Sequence, residues 1–541
     1  KNVYHVYSPL YTKSIVHTWS CEDRLDISQP GTTAVEDFYK TDADAEEAIA
    51  AVYSQVRSMH FTWLFLQNLL SDDVTCGGGG RGDNPSLEQI NEYTFNPANS
   101  NISGMFSSLY SMIYRCNMVI DNVTGGTPAQ DRAIAEAKAI RAFANFYLVN
   151  LWGTPPLVLH QLAPSEYRQP NSNSADFWAQ IEKDLTEAIS SNALPEKSSP
   201  SDKSIGARIS KQVAQALLGK AYLWQKKYNE AAAQFNAVVN SGKYELISDY
   251  ENMYRVSQDL GPERMWEIIG LNDPANTWTG ASSGITNNML GWRGDHMNMM
   301  GYFFGMHDIH YGGWGFSNAT PEVYQAFVEM EGPNGFRFKS TVKNYQDVLN
   351  ICPYPNFYGT DLRLTVGGQG LYGHSGVFTW KYRVLRNEAL EGGYGYAWHC
   401  NWIYMRYAEV LLLGAEASLM SAPSDGATAL NYVNQIRSRA HLAPLSSVTL
   451  DDIKKEKRLE LWAEGARFLD LQRWGDAPAA LAKQGEKVPT FWGFKRDGVS
   501  DSITYPQRNS VYGYKVGKHE LLPFPEHEMR VNPNLKQNPG W

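Results

Sequence analysis

The chain has 541 residues, 43% of them hydrophobic and 13% aromatic, with a formal net charge of -9. An acidic balance excludes the basic footprint of a nucleic-acid binder, and no run approaches the roughly 18 consecutive apolar residues of a membrane span. The five cysteines, Cys21, Cys76, Cys116, Cys352 and Cys400, are scattered. They fit neither a zinc framework nor a disulfide scaffold, so buried free thiols are expected.

Residues 1–20 hold Lys, His, Pro and several Tyr, and lack the apolar stretch of a signal peptide. Cys21 follows Thr18-Trp19-Ser20. A small residue before the cysteine suits lipobox cleavage, although Thr18 departs from the usual Leu. Cys21 is therefore read as a candidate lipidated residue, and 1–20 as an extension of unclear origin.

Apolar residues at three-to-four spacing predict helices over 42–70 and 100–123. Between them Ser71 to Pro85, with Gly77 to Gly80 at its centre, reads as a loop. It lacks the Gly-Lys-Ser/Thr ending of a phosphate-binding loop. An Ala-rich helix is predicted over 129–151, stopped by Gly153 with Pro155 and Pro156 beyond. Further helices are expected from Asp176 to Ser191 and from Ile209 to Gln225. Leu218, Gly219, Tyr222, Tyr228, Ala231, Phe235 and Val238 fall at tetratricopeptide spacing. The same logic, more degenerate, fits Arg406 to Ala417 with a helix at 425–440. One such repeat cannot bury its own faces, so other helices must stack on it.

Between about 256 and 400 the helical period fades. From Asn272 to Phe316 there are nine Gly, eight aromatics, five Met and only four Asp, Glu, Lys or Arg. A long insertion of that texture is where function tends to sit. The terminus from Leu521 to Trp541 is too rich in Pro and Asn for a helix or a central strand. It is also too apolar for a disordered tail, so it should be pinned against the folded body.

Glu456, Glu460 and Glu464 recur every four residues, with Arg467, Asp470 and Arg473 following. Read as one continuous helix, they form ladders of ion pairs rather than the acid and nucleophile of a glycosidase. His307-Asp308-Ile309-His310 has ligand-type residues but no common zinc spacing. Nothing in these segments calls for a cofactor.

Several of these segments resemble the SusD/RagB family, the outer-membrane nutrient-binding lipoproteins of Bacteroidetes. The resemblance is carried by the terminus Leu521 to Trp541, by Ala137 to Leu157, by Arg208 to Trp224, and by Trp402 to Ala417 with Asn434 to Ala440. Glu456 to Trp474 adds a long motif, with Lys457 where Arg is usual. Gly312-Gly313-Trp314-Gly315 with Pro321 and Phe327 resembles the centre of the family's variable lobe. The resemblance implies a mainly α fold, a superhelix of about four tetratricopeptide-like helix pairs with an irregular, loop-rich lobe. The scaffold is then expected to be discontinuous, 21–255 with 401–474, and the lobe and terminal segment to be 256–400 with 475–541.

The resemblance also implies capture of a nutrient oligomer, usually a glycan, without catalysis. It implies a SusC-type TonB-dependent barrel as partner and a lipid-anchored place on the outer-membrane surface. A sugar ring offers an apolar C–H face to an aromatic ring and a polar rim to hydrogen-bonding side chains. In this family such an aromatic arc lies on the variable lobe and the first-domain loops. Trp292 and Trp314 sit in Gly-rich segments where a large ring has few reasons to be core. Trp278 and Tyr311 are companions, and Asp73 and Arg81 would supply the polar side. Capture of peptides by the same architecture, a glycosidase, and a bare helical-repeat adaptor are the competing readings. The last leaves the aromatic insertion unexplained.

Overall fold

A computed structural model describes residues 38–270, 284–291, 293, 313–351, 356–357, 360–361, 370–389, 398–494 and 501–541. The chain opens with helices α1 (Asp42–Leu69), α2 (Pro85–Glu92), α3 (Ser100–Asn122) and α4 (Pro128–Trp152), with the short strand β1 (Val74–Thr75) after α1. Helices α5 (Ser174–Ser190), α6 (Lys211–Trp224) and α7 (Tyr228–Asn240) follow. Successive helices pack side by side from α3 to α7, and α1 lies against α3 and α4. The chain leaves this stack through β2 (Arg264–Ile268).

The lobe that follows contains α8 (Gly284–Leu290), β3 (Asn318–Ala319), α9 (Pro321–Glu331), α10 (Phe336–Thr341), β4 (Val342–Asn344) and α11 (Tyr345–Ile351). Strands β5 (Asn356–Phe357), β6 (Thr360–Asp361), β7 (Leu371–Tyr372) and β8 (Val377–Thr379) come next. The chain returns through β9 (Trp402–Arg406), which pairs antiparallel with β2. Exit and re-entry of the lobe are thus tied by one ladder. Helices α12 (Tyr407–Met420), α13 (Gly426–Arg439), α14 (Leu450–Glu460), α15 (Arg467–Trp474) and α16 (Ala477–Ala480) extend the stack. Strands β10 (Lys487–Phe494) and β11 (Asp501–Arg508) and the short helix α17 (Glu526–Val531) complete the chain.

Local chemistry explains the helix ends. Thr41 caps α1 in a capping box with Asp44. Thr127 caps α4, with Pro128 at its first position, and Gly153 ends it at φ 72°. The tetratricopeptide spacing is realised as close helix approach. A Cβ on Gly219 would stand 2.9 Å from the Phe235 ring, and one on Gly414 would stand 3.1 Å from Phe235 Cβ and from the Tyr432 ring. Phe235 is fully buried between α6 and α12.

The Glu456–Glu464 run departs from the expected continuous helix. The α14 helix stops at Glu460, and Ala463 and Gly465 turn the chain with φ of 59° and 76° before α15 begins. The carboxylates pair with cations brought from elsewhere in the fold rather than with each other's helix neighbours. Arg337 on α10 donates to Glu331, Glu456 and Glu460 at 2.7, 2.6 and 3.0 Å. Arg406 donates to Glu263, Glu460 and Glu464 at 2.8, 2.6 and 2.7 Å. Arg439 also pairs with Glu263 and Glu460, and Lys381 with Glu464. All are buried or nearly so. Because their charges are desolvated, each depends on its partners, and the lobe is fixed to α14 by this network.

The terminus is pinned as its composition predicts, with one difference: it contains the six-residue α17, started after Pro525. Leu522 N–H donates to Leu151 O at 2.7 Å, and Trp152 Nε1 to Pro523 O at 2.9 Å. Asn538 Nδ2 bonds both Trp152 O and Leu522 O. Trp541 stacks on Phe95 with centroids 5.1 Å apart. Cys76, Cys116 and Cys400 are buried free thiols. Among the described residues no helix is long and apolar enough to cross a membrane.

Candidate functional site

Three segments meet around the Gly-rich loop that follows β1. Val74 and Thr75 pair with Ala319 and Asn318. Gly78 N–H donates to Gly315 O at 3.0 Å, and Gly78 forms an isolated bridge with Tyr372. These backbones touch so closely that side chains are excluded. A Cβ on Gly77 would lie 2.1 Å from Gly315 O, and one on Gly373 would lie 2.1 Å from Cys76 O. Glycine is therefore required by packing at Gly77, Gly78 and Gly373, whereas a Cβ on Gly80 would meet nothing within 4 Å.

The loop tip is held by its own hydrogen bonds. Asp83 Oδ2 accepts from Gly79 N–H at 2.7 Å, Glu88 Oε1 accepts from Gly82 N–H at 2.8 Å, and Arg293 Nη1 lies 3.5 Å from Asp83. Arg81 sits on the same tip. Its guanidinium pairs with Glu92, lies 3.3 Å from Glu88 and reaches Tyr372 Oη at 3.4 Å. The Glu92 bond raises its pKa further, outweighing its partial burial, so Arg81 stays cationic. Burial pushes the Tyr372 hydroxyl up to about 12, so it is neutral and able to donate. The Arg81 and Asp83 side chains are each 41% exposed, leaving charged groups for a ligand.

Asp73 does not join them. It is 2% exposed, and Arg458 Nε donates to both of its carboxylate oxygens at 3.0 Å. Asp72 is held likewise by Arg467 at 2.8 Å. The expectation that Asp73 supplies a polar contact is corrected: its charge is spent on clamping the loop to α14. Of the expected aromatic residues, Trp314 is half-buried, packed against the core beside this loop. Its segment runs against α8, with Gly315 N–H on Gly291 O and Phe316 N–H on Met289 O, both at 2.7 Å. Trp278, Trp292 and Tyr311 lie outside the described residues, as do Cys21 and His307 to His310.

The sequence reading passed over Trp492. Strands β7, β10 and β11 form one sheet. Tyr372 pairs with Thr490, and Thr490 with Thr504. Trp492, two residues along, donates Nε1 to Thr504 Oγ1 at 2.9 Å, so these side chains share a face. Phe491 points the other way into the core. No alternation flags the half-buried Trp492, because Val488, Pro489, Thr490 and Phe491 before it are all buried and the ladder shifts register on either side.

What this arrangement offers is a rigid, glycine-tight loop bearing exposed charges, with Trp314 and Trp492 nearby. The carboxylate run cannot act as a glycosidase pair, because Glu456 and Glu460 are buried under guanidinium groups. Among the described residues no group of three His, Cys, Asp or Glu could hold a metal ion.

The chain matches the SusD family over residues 285–541, and the family described as "Starch-binding associating with outer membrane" over 25–223. It belongs to the SusD family. SusD-like protein P2 of Formosa agariphila is 26% identical, covering 96% of this chain and 97% of that protein. A SusD-like protein of Bacteroides ovatus is 24% identical over 96% of this chain and 95% of its own length. A solved laminarin-binding SusD-like protein superposes with a TM-score of 0.75 at 28% identity, covering 93% of this chain and all of that one. Surface glycan-binding protein A from Bacteroides thetaiotaomicron, solved with laminarihexaose, has the same fold, with a TM-score of 0.71 at 21% identity over 92% and 99% of the two chains. These SusD-like neighbours have the tetratricopeptide-like helical architecture, and this chain shares it.

Proposed function

We propose that this SusD-family protein is a cell-surface lipoprotein that binds oligosaccharides without catalysis and delivers them to a SusC-type TonB-dependent barrel. The observation that carries the reading is that the segment bearing the half-buried Trp314 is joined, through Gly315 O and Gly78 N–H, to the loop that bears the exposed Arg81 and Asp83. An aromatic platform takes the C–H face of a sugar while charged groups take its hydroxyls. The Trp292, Trp278 and Tyr311 of the insertion complete the aromatic arc in this reading, and Trp492 extends it. The 28% identity to a laminarin-binding protein over nearly the whole chain supports a glycan rather than a peptide. Cys21 carries the lipid anchor. In this reading 21–255 with 401–474 form the scaffold, and 256–400 with 475–541 form the ligand-selecting lobe and terminal segment.

Affinity electrophoresis of the Cys21→Ala protein through gels containing laminarin, starch, arabinoxylan, galactomannan or pectin tests this. Retardation by at least one polysaccharide, reduced in Trp314→Ala, is expected. Unretarded migration in every gel, together with binding of a peptide library, would replace the glycan with a peptide.

A further inference from the structure

A second concave site lies beside the β1–β3 ladder, lined by Thr75 and Thr320. It is a groove of about 600 Å³ bounded by the N-terminal end of α9, the 480–489 segment and β11. That volume falls within the range of small-ligand sites, about 300–1,000 Å³. Its floor is internally satisfied. Asn91 spends its amide on Cys76 N–H, Leu69 O and Val74 O, Gln484 Nε2 donates to Val74 O at 3.1 Å, and Arg458 is held by Asp73.

The rim is different. Glu322, Lys483, Glu486, Lys487 and Tyr505 line the groove. Their side chains make no hydrogen bond or ion pair among the described residues. Two carboxylates and two ammonium groups at one groove mouth therefore do not neutralise one another, although opposite charges are present. Tyr505 is 41% exposed, one of the few large apolar side chains left so open. Its position is built by the backbone. In the β10–β11 ladder Val488 pairs with Gln507 and Thr490 with Thr504, so Tyr505 and Pro506 stand opposite Pro489 alone. That is a β-bulge, which breaks the alternation and re-aims a side chain. Pro489 is fixed in turn by accepting from Gly373 N–H at 2.8 Å.

We propose that this groove is a second sugar-binding subsite: a pyranose ring packs on Tyr505 while its hydroxyls bond to Glu322, Lys483, Glu486 and Lys487. The inference rests on the glycan reading above and deepens it. Mixed, unpaired donors and acceptors around one aromatic ring suit a neutral polyhydroxylated ligand better than an ion of either sign. The six residue steps from Trp314 to Thr320 span at most about 20 Å of extended chain. One oligosaccharide of several units can therefore engage both places.

The test measures retardation of wild type, Trp314→Ala, Tyr505→Ala, Tyr505→Phe and Lys483→Ala in the same polysaccharide gels, with melting temperatures taken alongside. Tyr505→Ala, on β11, and Lys483→Ala, between α16 and β10, are each expected to weaken binding roughly threefold or more, as loss of one stacking or charged contact would. Tyr505→Phe should keep most of the affinity, and melting temperatures should stay near wild type. If Trp314→Ala loses a polysaccharide that Tyr505→Ala and Lys483→Ala both bind like wild type, the second subsite is wrong and the first stands. Weakening by Tyr505→Ala alone, with Lys483→Ala unchanged, reduces Tyr505 to a structural element of β11 and also overturns the subsite. If wild type is retarded by no polysaccharide, both readings fall.

Discussion

Arg406 binds Glu460 twice, through Nη1 to the carboxylate at 2.6 Å and through Nη2 to the backbone carbonyl at 2.6 Å. The second bond matters because Glu460 is the last residue of α14, where carbonyls lack helical partners. One guanidinium thus neutralises a buried carboxylate and caps a helix, from the strand by which the lobe rejoins the scaffold. Burial alone would raise the Glu460 pKa, but Arg439, Arg406 and Arg337 overcome it and hold the carboxyl well below the usual range.

Glu460→Ala is therefore expected to destabilise the protein by about 3–5 kcal/mol, the cost of stranding buried charge. Urea denaturation followed by tryptophan fluorescence measures it. A loss under about 1 kcal/mol would mean that the three arginines find other partners or water.

Acid should weaken the fold through buried histidines. Burial lowers His60 and His374 to about 3 from 6.5. His374 Nδ1 accepts from Gly376 N–H at 2.9 Å, a bond that protonation at this nitrogen destroys. His60 sits among the rings of Trp63, Trp402 and Tyr404. The folded state resists protonation that the unfolded chain accepts below about 6.5, so stability is full above that pH and falls toward 3. The slope approaches about 1.4 kcal/mol per pH unit for each histidine. Stability of wild type minus His374→Gln, measured at pH 7 and pH 5, should shrink at the lower pH. A difference independent of pH would show that His374 is not held neutral.

The Gly-rich loop depends on a clamp rather than on its own sequence. Asp73 is buried under Arg458, and burial followed by repulsion from Asp72 raises its pKa. Arg458→Met should destabilise the protein by about 3 kcal/mol or more by leaving that carboxylate unpaired. Asp73→Asn/Arg458→Met should recover part of the loss in thermal melts. No recovery would mean that Arg458 acts through contacts other than Asp73.

The helical scaffold was legible because its signals are local. The caps at Thr41 and Thr127, the stop at Gly153 and the small residues opposite Phe235 each state a geometric need within a few residues of sequence. The long helices start and end within about two residues of expectation, the ordinary uncertainty of helix ends. What escaped was set by distant partners. Asp73 reads as a polar loop residue until Arg458, far along the chain, is seen to cover it. Glu456 to Glu464 read as one helix because the partners that reward a break, Arg337 and Arg406, lie outside the window. Tyr505 was invisible because a bulge, not alternation, directs it.

Binding should follow the rings. Trp314→Ala is expected to lower polysaccharide affinity about tenfold, if stacking of the kind measured on nucleic-acid bases carries over to sugars. Because Trp314 is half-buried, its melting temperature must be measured with its affinity. Unchanged affinity would move the arc elsewhere, and a large drop in melting temperature would make Trp314 a core residue. Trp292→Ala should behave alike.

The partner gives the last prediction. An oligosaccharide held at the cell surface must be handed to an energised transporter, and this chain offers no ATP-binding loop to move it. The complex expected is therefore with a TonB-dependent barrel, the ring-bearing face turned to the barrel mouth so that ligand is enclosed between the two. A hinge near a lipidated Cys21 would let the body swing while tethered, since acyl chains anchor by about 0.8 kcal/mol per buried methylene without needing a protein span. Affinity purification of the native lipoprotein from detergent-solubilised outer membranes should recover a barrel protein in stoichiometric amount. The Cys21→Ala form should leave washed membranes when the barrel is absent. Repeated recovery of the native protein alone would instead make it a free-standing surface binder.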